Sequence, residues 1–458
     1  MTPETTSLDV DALRDRLAGD VVVPGDSDWD AARSAWNLTA DLRPAAVVLA
    51  EHAEDVAPTV DFAREHGLRV APQGPGHGAP LMPALDDVLL LRTRRMTGVE
   101  VDPGARTARV QAGALWGDVV PAAAEHGLAA LHGSSGTVGV VGYTLGGGIG
   151  WLGRKHGFAS NAVKRFDVIT ADGRAQTVSA DSEPDLFWAL RGGGGTFAVV
   201  TALEFELVEL REVYAGQLMW PLELAPQVVD AYREWTAGAP DDLAATIKLM
   251  RVPPIPDVPE PLRGRELVAV GMSVLGDEAT CRDIAAPMRD VAPRYMDTVQ
   301  TIPASGLSFV AGDPPDPVPG QGDGILVTEL TPEAAEAYVE LAGPGATTPL
   351  LFVELRQFGG ALARSSLDHG AADAFDAGFG CYSVGMTLSP EMQQANTAAL
   401  AEVKERMAPW TAPKTQLNFA ETQPGTRDSF PDATADRLAR IKADYDPDGL
   451  IVGNHAVD

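Results

Sequence analysis

The stretch "RVAPQGPGHGAP", residues 69–80, decides how this chain is read. It starts as a strand and breaks into glycine and proline around one histidine, His77. A tight turn needs glycine but not an imidazole. A buried histidine does not need glycine on both sides. The run Gly74-Pro75-Gly76-His77-Gly78-Ala79 has the glycine spacing of a dinucleotide fingerprint, which requires a helix to open at the loop so that its N-terminus faces the pyrophosphate. Here Pro80 and Pro83 follow at once, and "LMPALDD" (81–87) has no helical apolar stripe. No acidic residue ends a second strand about 20 residues on. A nicotinamide Rossmann site is therefore excluded. Two readings of the loop remain: bare N–H groups that line an anion, or a plain surface turn.

Working outward, the loop closes a βαβ unit. "AAVVLA" (45–50) reads as a buried strand. "AEDVAPTVDFAREHG" (53–67) carries Val56, Val60 and Ala63 at helical spacing and stops at Gly67. Half-buried strands follow at 87–92, 97–102 and 107–113, then a helix over 115–127 interrupted by Pro121, then strands at 164–173 and 197–210. Beyond residue 211 the helices lengthen, as in "PLELAPQVVDAYREWT" and "PEMQQANTAALAEVKERM". Two proline-rich loops, 251–264 and 311–324, interrupt this part. The second is too long and proline-rich for a hairpin turn and is read as a lid, an edge excursion or surface.

Two further glycine-rich stretches stand out. "GSSGTVGVVGYTLGGGIGWLGRKHG" (133–157) holds ten glycines interleaved with Val138, Val140, Val141, Tyr143, Leu145 and Ile149. That is too glycine-rich for ordinary packing and too apolar for a linker. Its spacing permits close approach of backbone to a flat or phosphorylated ligand. "FWALRGGGGTFAVVTALEF" (187–205) ends a helix on four glycines, more than a C-cap and turn require.

Composition narrows the class. The chain has 458 residues, 45% hydrophobic and 22% charged, with 35 basic and 64 acidic residues and a net charge of −29. Nucleic acid and anionic membranes are excluded as partners, because phosphate binding needs clustered Lys and Arg. Two cysteines, Cys281 and Cys381, provide neither a disulfide framework nor a metal spacing, and no metal is expected. The opening "MTPETTSLDVDALRDRL" lacks a basic start and an apolar core. No apolar run reaches the roughly 18 residues that a spanning helix needs. The expectation is a cytoplasmic enzyme or binding protein.

The three glycine stretches, with "RPAAVVLAEHAEDV" before them and "YDPDGLIVGNH" near the end, stand in an order that resembles the vanillyl-alcohol-oxidase-type (PCMH-type) flavoproteins, and within them the berberine-bridge-enzyme-like FAD-linked oxidases. The resemblance covers essentially the whole chain. It implies an α+β fold: a two-lobed FAD-binding domain over residues 1–211, a substrate domain with an antiparallel sheet flanked by helices over 212–410, and a tail, 411–458, returning to the FAD domain. It implies FAD bonded through its 8α-methyl to His77. Gln73, Gly74, Pro75, Gly76 and Gly78 would form the pyrophosphate loop. Gly133, Ser134, Ser135, Thr137, Val138 and Gly139 would face the flavin from the central loop, followed by Gly142, Tyr143, Gly146, Gly148 and Gly150. Val199, Asn418 and Asn454 complete the cofactor residues.

Departures from the pattern sharpen the reading. A second covalent link through cysteine is impossible where Ser135 stands, so the linkage is single. The position that guards oxygen access holds Val138, which favours an oxidase over a dehydrogenase. The arginine often found four residues before the linking histidine is Gln73, so phosphate binding must rely more on the backbone. The tyrosine of the usual Y-x-N pattern is Gln416, and a second tyrosine position holds Ile149. Glutamine does not take a proton from an alcohol at neutral pH. The missing base is sought in "LFVELRQFGG" (351–360), where Glu354 and Arg356 share one strand face. Tyr382, in "GCYSVGMTL", is placed on a neighbouring strand. Glu354, Tyr382 and Arg356 are the catalytic candidates, with a cross-strand salt bridge on a solvated face as the bland alternative. The implied activity transfers a hydride from an alcohol, sugar or specialised metabolite to flavin, with dioxygen as reoxidant. Open alternatives are a dehydrogenase using another acceptor, a flavin-binding protein without turnover, and an α/β binding protein without flavin.

Overall fold

The computed structural model describes residues 8–457. The first seven residues, part of the segment read above for a leader, lie outside the described residues.

The chain opens with a four-stranded sheet in the order Asp20–Val22, Ala46–Leu49, Val88–Arg92, Arg69–Gln73. The last three strands are parallel and the first is antiparallel. Ala46–Leu49 and Val88–Arg92 are buried at every residue, as strands covered on both faces are. The helix Val56–Glu65 buries Val56, Val60 and Ala63 as its spacing predicts. It ends where Gly67 takes a φ of +67°. The C-terminal segment returns here: Val70 donates to the Leu450 carbonyl at 2.8 Å and accepts from Val452 N–H at 2.9 Å.

A second, antiparallel sheet runs Val99–Asp102, Thr107–Gln111, Val199–Glu206, Val163–Ile169, Ala175–Ser179. One apolar core joins these two sheets to the tail, with Leu89, Val110, Trp116, Phe166, Leu438 and Ile451 among its members.

The large sheet is antiparallel. Its central strands lie in the order Glu212–Pro221, Glu266–Val274, Leu243–Arg251, Phe352–Gln357, Phe379–Met386, Gly320–Val327. The helices Ala225–Thr236, Pro332–Ala342 and Pro390–Met407 pack on it around a separate core that includes Trp220, Tyr232, Leu249, Tyr338 and Val403. The loop expected over 311–324 stops short, because Gly320–Gly324 pair with Tyr382–Met386 as an edge strand. Glycine lowers strand propensity, which hid the strand. A side chain on Gly322 would meet the Tyr382 hydroxyl at 2.6 Å, so glycine there makes room for the tyrosine ring. No helix among the described residues is long and apolar enough to cross a membrane.

Candidate active site

The site has two walls. The first is built from backbone. The loop after Arg69–Gln73 turns at Gly76, whose φ of +93° suits glycine alone. Its carbonyls are engaged: Pro75 and Gly76 accept from the N–H groups of Trp36 and Asn37 at 2.9 and 3.4 Å. Its amides are free. The N–H groups of Gly74, Gly76, His77 and Gly78 have no acceptor among the described residues. Buried or half-buried amides left open in this way form a ready anion site.

His77 is fixed on both sides. Its ring stacks on Trp36, with centroids 3.9 Å apart and planes 16° apart. Nε2 lies 3.1 Å from the Thr137 carbonyl and 3.2 Å from Thr137 Oγ1, which is 2.9 Å from Ser135 Oγ. A carbonyl only accepts, so Nε2 carries the ring proton in that bond and Nδ1 keeps its lone pair. Burial pushes the His77 pKa down to about 4, against the Thr137 carbonyl and the charge of Asp313. The imidazole is therefore neutral at pH 7.

The central loop packs backbone on backbone. A side chain on Gly139 would meet Pro75 Cδ at 2.8 Å, and one on Gly150 would sit 1.7 Å from the His132 carbonyl oxygen. Gly142 is exposed in an otherwise buried run, with nothing within 4 Å of a side chain placed there. Gln416 and Asn418 hold the turn that follows. Gln416 Nε2 donates to the Gly146 carbonyl at 2.7 Å, and Asn418 accepts from Gly148 N–H at 2.8 Å while donating to the Tyr143 carbonyl at 3.1 Å. Gln416 thus has a bracing role where the family pattern places a tyrosine. Tyr143 is core: it packs edge-on against Trp116 at 5.5 Å and donates to the Leu131 carbonyl at 3.3 Å. Val199 is wholly buried in the same core, and Val138 is half-buried against it. Asn454 lies directly over Gly78, where a side chain would meet its Nδ2 at 2.4 Å. Gly133 lies under the Tyr143 ring.

The second wall is built from charges on the large sheet. Lys248, Glu354 and Tyr382 are neighbours in one row across three strands, so the expected placement of Tyr382 beside Glu354 holds. Glu354 is 2% exposed. The face is buried, not solvated as the salt-bridge alternative supposed. Glu354 Oε1 accepts from Arg356 Nε at 2.9 Å and Oε2 stands 3.3 Å from Lys248 Nζ. Burial opposes its ionisation, but Arg356 and Lys248 outweigh burial and hold the carboxyl below its usual pKa. Tyr382 donates to Glu421 Oε1 at 2.5 Å. Burial, then the Glu421 charge, pushes the phenol well above its ordinary pKa, and burial raises that of Glu421 in turn. Past Glu421 opens a cleft of about 660 Å³, lined by Met82, Gln321, Asp323 and Lys404 among others.

The walls meet where Ser134, Ile149 and Gly150 face Thr246 and Arg356. Asp313, from the proline-rich loop, bridges them. Its Oδ2 accepts from Ser134 Oγ at 2.6 Å, and its charge acts on His77, Arg356 and Tyr382 at once. Its other oxygen has no hydrogen-bond partner among the described residues.

A family model described as an FAD binding domain matches residues 44–179, the span that carries His77 and the central loop. The solved structure of 6-hydroxy-D-nicotine oxidase from Arthrobacter nicotinovorans superposes on the fold with a TM-score of 0.81, covering 95% of this chain and 96% of that one at 26% identity. Residues 44–179 are thus an FAD binding domain, and the whole chain shares the fold of that oxidase and of a berberine-bridge-enzyme-like protein of Physcomitrella patens. Among curated relatives, this flavoprotein is 37% identical over 205 residues to (R)-6-hydroxynicotine oxidase of Paenarthrobacter nicotinovorans, which is 44% of this chain and 45% of the relative. It is 33% identical over 228 residues to glucooligosaccharide oxidase of Sarocladium strictum, 48% of this chain and 46% of the relative. These alignments span about half the length of each relative.

FAD is accordingly the cofactor of this chain, and the first wall fits it. Four acceptorless amides suit a pyrophosphate, bare backbone at Gly142 suits close approach, and a neutral imidazole is poised beside them. Sequence reasoning missed Trp36, Lys248, Asp313 and Glu421. All four reach the site through tertiary contacts, and no local motif marks them.

Proposed function

We propose that this flavoprotein is an oxidase that takes a hydride from an alcohol, sugar or specialised metabolite, with FAD bonded to Nδ1 of His77 and dioxygen as the final acceptor. Bound FAD supplies the hydride acceptor and passes the electrons to dioxygen, giving hydrogen peroxide. The observation that carries the reading is the state of His77: neutral, clamped between Trp36 and Thr137, with Nδ1 unengaged beside a loop of open amides. Val138, a small side chain on the central loop, supports oxidase over dehydrogenase. The buried free thiols of Cys281 and Cys381 support a reducing compartment, and with it the cytoplasm.

On the sheet wall the residues divide the work. Glu354, with both oxygens occupied by cations, orients Arg356 and Lys248 toward the substrate. That engagement and its depressed pKa make it a poor proton acceptor. Tyr382, kept protonated, serves as a hydrogen-bond donor. Asp313 is the carboxylate with an oxygen to spare, anchored by Ser134 at the junction of the walls, and it accepts the proton of the substrate O–H or N–H as the hydride leaves.

The test is peroxide release by the purified holoprotein on a panel of amines, alcohols and oligosaccharides. On any compound that turns over, Asp313→Asn is expected to lower kcat by about two to four powers of ten, with flavin content unchanged and Glu354→Gln acting mainly on KM. Full activity in Asp313→Asn would assign the proton elsewhere.

A further inference from the structure

Arg92 ends the strand Val88–Arg92, level with Gln73 at the end of its parallel neighbour, where the glycine loop begins. It is 2% exposed. Its Nη1 donates to Gln73 Oε1, while its Nε has no partner, nor has Gln73 Nε2. No carboxylate offsets the charge among the described residues. Burial pushes the guanidinium down to about 10, and the charge that acts on it, Arg94, repels.

The other buried arginines are treated differently. Arg154 donates to the carbonyls of Leu243, Phe358, Ala239 and Pro240 and stands 4.0 Å from Asp241. Arg191, whose Nε is likewise without a partner, donates to the Asp368 carbonyl at 2.7 Å, lies over the Phe187 ring at 4.3 Å and gains from the Asp368 charge. Arg92 has neither a set of carbonyls nor an acid. A buried charge persists when something pairs with it.

The position says what that is. Gln73 Oε1, which Arg92 holds, lies under Gly76, 3.2 Å from where a side chain there would begin. The same loop carries the four acceptorless amides of Gly74, Gly76, His77 and Gly78. We propose that Arg92 is the cationic partner of the FAD pyrophosphate, acting from beneath the Gly74–Gly78 loop and supplying the charge that residue 73, a glutamine, does not. This inference rests on the FAD reading above and adds a side-chain charge to the backbone amides expected to hold the phosphates.

The experiment uses His77→Ala protein, stripped of flavin and titrated with FAD and with riboflavin, which lacks the pyrophosphate. Adding Arg92→Gln should weaken FAD binding about tenfold to a hundredfold, as loss of a buried cation close to a phosphate charge does, and leave riboflavin binding unchanged. The flavin-free Arg92→Gln protein should melt no lower than its parent, because an unpaired buried charge has gone. A second variant, Gln73→Glu, gives Arg92 an internal anion. It should raise the melting temperature of the flavin-free protein and weaken FAD binding selectively. FAD affinity unchanged in both variants, or FAD and riboflavin weakened equally, overturns the assignment to Arg92. A parent that binds neither flavin fails the underlying reading instead, and Arg92 with it.

Discussion

The two walls of the site solve the problem of buried polarity in opposite ways. On the sheet wall the ionisable groups are paired with one another, Glu354 with Arg356 and Lys248, Tyr382 with Glu421, and Asp323 with Lys404, though the neutral Gln357 Oε1 and Ser383 Oγ have no partner there. On the glycine wall polar groups lack protein partners: the amides of Gly74, Gly76, His77 and Gly78 and Nδ1 of His77 on the loop, and the enclosed Nε of Arg92 and Nε2 of Gln73 behind it. Unsatisfied groups in a well-packed interior mark the place of a permanent guest. A self-contained ion cluster marks a surface organised for a visitor, because it stays intact when the visitor leaves. The contrast fits a resident cofactor on one side and an exchanging substrate on the other.

The contrast can be broken most severely at Glu354. Glu354→Ala leaves Lys248 and Arg356 buried without their anion and should cost about 3–5 kcal/mol, read as a shifted urea midpoint. The sign with pH follows from the depressed carboxyl. Its folded pKa lies below the unfolded value, so its contribution is full above the unfolded pKa and is lost as pH falls through the folded one. Glu354→Gln should therefore flatten the acid limb of the stability profile, and an unchanged limb would deny the pairing. On the other wall, Gly150→Ala drives a methyl into the His132 carbonyl and should cost about 1–3 kcal/mol or more, with flavin content falling alongside stability. Wild-type flavin content and melting would show that the central loop is not the rigid cradle described. The mildest change is Val138→Ile, one methylene at a half-buried position. It should shift stability by less than about 1.5 kcal/mol while slowing flavin reoxidation in stopped-flow mixing with air-saturated buffer. Unchanged reoxidation would remove Val138 from the oxygen path.

How much of this the sequence displayed depends on range. The His77 loop and the central loop were legible because glycine and proline act locally, and what they permit is backbone geometry. The pairing of Glu354 with Arg356 was legible from strand alternation. Lys248 was not, because it reaches Glu354 from another strand far away in sequence. Asp313 and the edge strand Gly320–Val327 were hidden in a proline- and glycine-rich run that reads as loop. Arg92 looked like the end of an ordinary strand. Only its burial without a counter-ion gives it meaning, and burial is a property of the fold. Tyr143, for which the sequence left flavin contact and core packing both open, has its ring on Trp116 and its hydroxyl on the Leu131 carbonyl.

The central claim is a bond between His77 and the flavin. The measurement is mass spectrometry of the acid-denatured protein, followed by peptide mapping across residues 69–80. The account predicts a polypeptide heavier by one FAD, with the added mass on the peptide that contains His77 and lost in His77→Ala. A yellow protein that gives up all its flavin to the acid supernatant, with His77 unmodified, would contradict it.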